Sequence, residues 1–191
     1  MQSDSAFVHA WVLPADIAEA LWRPMYADAV RALTASSHVL ERDRAGEELA
    51  VLRGPEGLGH LVLRPDEIGF NGNSFLGQAG DAFAMERHAR HGVIARRSYG
   101  GSRRTVRRCN TGGQPYDLAV CAVLLVVERH LGADVRLGTS GSLRSGWARA
   151  AALVRETLGD CGQLVQHENG LLHWVDAPAL GASRSGRSSA S

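Results

Sequence analysis

A chain of 191 residues with 45% apolar and 21% charged side chains is globular in composition and long enough to bury a core. Its net charge is +1, and all 21 permanent positive charges are arginines, because the chain contains no lysine. That absence excludes a P-loop lysine, a Schiff-base lysine and the lysine of PD-(D/E)xK nucleases, since arginine does not give up its proton.

The three cysteines, Cys109, Cys121 and Cys161, are odd in number and widely spaced, which argues against a disulfide framework and for reduced thiols. No basic-then-apolar leader opens the sequence, and the longest apolar run, Leu118 to Val127, is ten residues. A cytoplasmic protein without a membrane span is expected. The halves differ in charge: residues 1–86 carry six Arg against thirteen acids, 6 − 13 = −7, and residues 87–191 carry fifteen against seven, 15 − 7 = +8. Docking of the halves on each other, self-association and an anionic partner all fit this split.

In chain order, residues 16–35 read as a helix with Ile17, Leu21, Met25 and Leu33 apolar, and with Pro24 as a stop, a kink or a restart. Trp11 and Trp22 are expected to pack near it. Short strands follow at Leu49–Leu52, His60–Leu63, Ile68–Phe70 and Ala82–Met85, with Pro65-Asp66 turning a tight hairpin over 60–70. Asn71-Gly72-Asn73 and Gly77 to Gly80 predict a flexible connection. Pro115 opens a helix over Tyr116–Leu131 that Gly132 ends. Having no polar face over nearly three turns, this helix must be surrounded by protein.

Val135 to Leu137 reads as a strand. An amphipathic helix at about 143–158 places Trp147, Ala150, Ala151, Val154 and Leu158 on one stripe, with Arg149 and Glu156 opposite. Leu164-Val165 and Leu171–Trp174 predict a hairpin around Asn169-Gly170. From Pro178 the Ala/Ser/Gly/Arg tail has nothing to bury.

Six arginines, Arg96, Arg97, Arg103, Arg104, Arg107 and Arg108, fall within thirteen residues around Tyr99-Gly100-Gly101-Ser102. A two-residue turn at Gly100-Gly101 makes this a hairpin in which Tyr99 faces Ser102, Arg97 faces Arg104 and Arg96 faces Thr105. Arginine then stands on both faces, so the ribbon is expected to project, rooted by Val93, Ile94 and Val106. Like charges facing across the strands repel unless an anion lies between them. Guanidinium forks match phosphate, and Tyr99 can stack on a base. An anion site of Arg96, Arg97, Tyr99, Arg103, Arg104, Arg107 and Arg108 is therefore expected; a solvated loop is the alternative.

Catalytic and metal signals are weaker. His88 and His91, with Cys109 eighteen residues beyond the latter, offer zinc ligands, but the neighbouring arginines oppose a cation. Cys109 beside Arg107 and Arg108 is a candidate thiolate without a fixed base. Asp66 and Glu67 point apart, and Gly138-Thr139-Ser140-Gly141-Ser142 resembles a phosphate loop in composition only. No catalytic residue, metal or cofactor is expected.

Phe70-Asn71-Gly72, then Pro115-Tyr116-Asp117 leading into the apolar helix, then a strand and a Trp-bearing helix, resemble small uncharacterised proteins of bacteria and their phages over about residues 60–158. The resemblance implies a phage-related or accessory role and brings no activity with it. The expected architecture is one α+β domain, 1–177, with a small, mainly antiparallel sheet on two or three helices and a disordered tail, 178–191. The expected function is non-enzymatic nucleic-acid binding through the arginine-rich arm. The alternative is a protein–protein or phage structural component, including a homo-oligomer, whose basic half meets an acidic surface.

Overall fold

The structure, a computed structural model, describes residues 7–42, 51–90, 93–95, 103–140, 146–159, 162–167 and 170–175. Among these residues it is an α+β fold of three helices and two antiparallel sheets. The chain opens with β1 (Val8–Pro14), where no strand was expected. Burial alternates along it: His9, Trp11 and Leu13 point inward, while Val8, Ala10, Val12 and Pro14 face the other way.

The first helix, α1 (Glu19–Arg42), runs straight through Pro24 and seven residues beyond the expected end at 35. Pro24 and Ala20 are both exposed, so the carbonyl that loses its intrahelical donor opens to water. Trp22, Met25, Ala29, Ala32, Leu33, Ser36 and Leu40 form the buried stripe. The indole of Trp22 donates to the carbonyl of Pro65 at 2.7 Å.

The strands β2 (Leu52–Arg53), β3 (Val62–Arg64), β4 (Glu67–Gly72) and β5 (Phe83–Glu86) form the smaller sheet around β4. The pairing of Arg64 with Glu67 confirms the tight turn at Pro65-Asp66. The stretch after β4 is not a flexible connection. The side chain of Asn71 donates to the carbonyls of Pro55 and Gly80 and accepts from the N–H groups of Gly72 and Gly80. Asn73 caps a short 3-10 turn through Phe75 N–H, and Gly77 closes that turn at φ +65°.

β6 (Val93–Ala95) and β7 (Arg104–Asn110) lead to α2 (Asp117–Leu131), and β8 (Arg136–Thr139) to α3 (Gly146–Leu158). β9 (Gln163–Gln166) and β10 (Leu171–Val175) form the expected closing hairpin. The larger sheet has six strands in the order β6-β7-β1-β8-β10-β9, so β1, first in the chain, lies inside it.

Every residue from Leu118 to Val127 of α2 is buried, as its unbroken apolar run requires. On α3, Trp147, Ala150, Ala151 and Val154 are buried, while Arg149 and Glu156 are exposed. Trp11 links the two sheets: its ring lies 5.2 Å from that of Phe83, which stacks on Phe70 at 4.8 Å. The inward residues of both sheets and the helices belong to one core. The outward face of β7, β1 and β8 keeps Arg104, Val106, Arg108, Ala10, Val12 and Arg136 at the surface.

Candidate anion-binding face and a buried polar cluster

The base of the arginine arm exists, in a different register. Val93 pairs with Val106, Ile94 with Thr105 and Ala95 with Arg104. The expected pairing set Ala95 against Val106, so the strands are offset by two residues. Side chains alternate with period two, so the offset leaves each residue of β7 on its expected face. It does bring Ala95, not Arg97, opposite Arg104, and the like-charge pair expected there does not form at that position. Arg96, Arg97 and Tyr99, with the Gly100-Gly101 turn, lie outside the described residues.

The four described arginines of the arm divide into two kinds. Arg104 stands 3.0 Å from the carboxylate of Asp134 and also donates to that residue's backbone carbonyl. Arg107, on the inward side of β7 opposite Trp11, meets Glu86 at 2.6 Å. Arg103 and Arg108 are exposed and have no acidic partner among the described residues. On β7 the outward positions are Arg104, Val106, Arg108 and Asn110. Across β1 they neighbour Pro14, Val12, Ala10 and Val8, and beyond those lies Arg136 of β8. No described strand position on this outward face carries a carboxylate.

The other sequence candidates do not converge. His88 pairs with Asp16 at 3.0 Å, Cys109 donates to the carbonyl of Asp81 at 3.3 Å, and His91 lies outside the described residues. Asp66 and Glu67 separate as expected, to Arg90 at 2.7 Å and Arg64 at 3.2 Å. Gly138 and Thr139 belong to β8, and residues 141–145 lie outside the described part.

The two short motifs behind the resemblance meet in space. Gly72 lies so close to Tyr116 that a Cβ there would stand 2.9 Å from its ring. The Tyr116 hydroxyl, buried against Gly80, donates to the carbonyl of Asp81 at 2.9 Å. Burial pushes its pKa above the ordinary phenol value. Asn71-Gly72 and Tyr116 are thus a packing contact, and Asp117 turns away from them into a second group of side chains.

That group, missed by the sequence reading, is buried beneath β1. His9 Nε2 and Asp117 Oδ1 are 2.7 Å apart. Thr111 donates its hydroxyl to the same oxygen at 2.5 Å. The thiol of Cys121, one turn along α2, lies 3.7 Å from Asp117 Oδ2 and 3.9 Å from His9 Nε2. The other ring nitrogen, Nδ1, lies 3.3 Å from the Thr139 hydroxyl. Trp147 packs edge-on to the imidazole at 5.1 Å. Gly146 touches the cluster where a Cβ would fall 2.2 Å from Asp117 Oδ2, so no larger residue fits at the start of α3.

This is not an activated cysteine. Burial and the neighbouring Asp117 carboxylate push the Cys121 thiol well above its usual pKa, and burial pushes Cys109 up to about 12. Neither forms the thiolate a nucleophile needs. The signals in the sequence were an inward histidine on an alternating strand and the i, i+4 spacing of Asp117 and Cys121.

No protein-family model, curated protein or solved structure matches the chain.

Proposed function

We propose that the protein binds nucleic-acid phosphates, without catalysis, through the arginine-bearing edge of its larger sheet. The observation that carries this reading is the outward face of β7 and β1, where Arg108 stands exposed among small apolar side chains with no acidic partner among the described residues, beside Arg104, which Asp134 pairs. Arg103 extends the same edge toward the arm. A β-sheet face with more arginines than acids suits a polyanion, because each phosphate contact releases condensed counterions.

Arg104 and Arg107 already have acidic partners, which leaves at most 6 − 2 = 4 arginines of the cluster for phosphate, of which Arg96 and Arg97 lie outside the described residues. Log affinity for duplex DNA should therefore fall against log salt with a slope no steeper than about −4, shallower than the −5 or so that six contacts would give. Fluorescence anisotropy across a salt series measures it. Arg103→Gln and Arg108→Gln should each weaken binding similarly on every sequence and reduce the slope by about 1. No binding at low salt, or a slope near zero, removes this reading. Exposed Val106 and Val175, 40% and 45% accessible on the same outward face, favour a protein partner as the second reading. Light scattering that reports a dimer without DNA, together with absent DNA binding, would select it.

A further inference from the structure

We propose that His9, Asp117 and Cys121 form a zinc site, with the imidazole Nε2, a carboxylate oxygen and the thiolate sulfur as ligands. The inference is independent of the nucleic-acid reading and rests on the buried cluster alone. These ligand atoms all lie within 4.8 Å of one another, and all three residues are buried.

Bond lengths to tetrahedral zinc place such N, O and S atoms about 3.3–3.6 Å apart. The separations here are 2.7 Å from His9 Nε2 to Asp117 Oδ1, 3.7 Å from Asp117 Oδ2 to Cys121 Sγ and 3.9 Å from His9 Nε2 to Cys121 Sγ, the first two running to different oxygens of one carboxylate. The first is shorter than a shared metal would set by the difference between a hydrogen bond and two metal–ligand bonds, and the other two are slightly wide. The i, i+4 spacing of Asp117 and Cys121 already presents both to one side of α2, and β1 brings His9 across from them.

The surrounding contacts are those a metal site needs. With metal bound, the proton on His9 Nδ1 can go to the Thr139 hydroxyl, 3.3 Å away, which commits Nε2 to the metal. Thr111 holds the carboxylate of Asp117 from behind. A nitrogen, oxygen and sulfur donor set favours zinc over magnesium or calcium, which require oxygen ligands.

Charge balance also holds. Zinc enters as +2 and meets the Asp117 carboxylate and the Cys121 thiolate, whose proton passes to solvent, so no uncompensated charge is left in the buried site. No fourth His, Cys, Asp or Glu joins the group among the described residues, so the fourth position falls to water.

The test uses the untagged full-length chain. Elemental analysis of purified protein should find about one zinc per chain, and chelation should lower the melting temperature until zinc is restored. Cobalt added to the stripped protein should give a thiolate charge-transfer band. His9→Gln and Cys121→Ser should lose metal and band, while Cys109→Ser, a buried thiol outside the group, should keep both. Should the variants fail to fold, the cobalt band of the unsubstituted protein decides alone. A stripped protein that neither gains stability from zinc nor develops the band overturns the proposal, as does full retention of metal by Cys121→Ser.

Discussion

Asp117 shows how much one position can organise. Its carboxylate receives the Thr111 hydroxyl and lies against His9 and Cys121, while the preceding ring of Tyr116 fills the space beside Gly72. A carboxylate in the first turn of α2 is also favoured by the helix dipole. The thiols beside it are silent for a physical reason. Burial pushes the Cys109 pKa up to about 12, so the thiol stays protonated near pH ~8. In native protein at that pH, iodoacetamide should leave Cys109 and Cys121 unmodified, and both should react once the chain is denatured. Peptide mass spectrometry reads the result, and rapid native labelling of either would contradict the burial described here. At this scale the sequence was informative about charge and poor about partners. Arg107 and Arg108 are neighbours in the chain, yet one meets Glu86 and the other faces solvent. Strand alternation decides between them, and the acid that matters comes from a different sheet.

Helix α2 is the element the rest is built around. Its ten consecutive apolar residues predicted burial on all sides, and that is what is found, with α1, α3, β8 and β10 against it. Leu124→Ala removes a fully buried side chain from its middle and should cost about 2–5 kcal/mol in chemical denaturation. Phe75→Ala, at a ring 81% exposed on the 3-10 turn, should stay within about 0.5 kcal/mol. Equal losses would mean that α2 is not the core. The strand β1 was the element the sequence reading missed. Its alternation of His9, Trp11 and Leu13 is present, but a histidine among the inward positions and a proline at the end weaken the pattern. Pro24 misled in the opposite sense. A proline looks like a helix boundary, but on the exposed side of a first or second turn the lost hydrogen bond is replaced by water.

Across the whole molecule, the opposed charges of the two halves partly meet. Glu19 approaches Arg87 at 3.6 Å, Asp66 meets Arg90 and Glu86 meets Arg107, each acid coming from residues 1–86 and each arginine from 87–191. The cancellation inferred as one option from the charge split is therefore real for these pairs, and Arg103 and Arg108 are left outside it. Asp134 competes with any external anion for Arg104. Asp134→Asn should tighten DNA binding about 3- to 10-fold at low salt and steepen the salt dependence, measured by the same anisotropy titration. Unchanged affinity would place Arg104 away from the bound phosphate. The fold class was readable because helices and short strands have local signatures. The six-strand order was not, since it depends on which distant segments share an edge. That order bears on biosynthesis. Pro14 pairs with Arg104, and His9 lies between Cys109 and Thr139, so β1 has no partner in its sheet until 104 − 14 = 90 further residues have been made. An unfinished chain stopping before β8 leaves the edge of β1 that β8 occupies without its hydrogen-bonding partner and open to another strand.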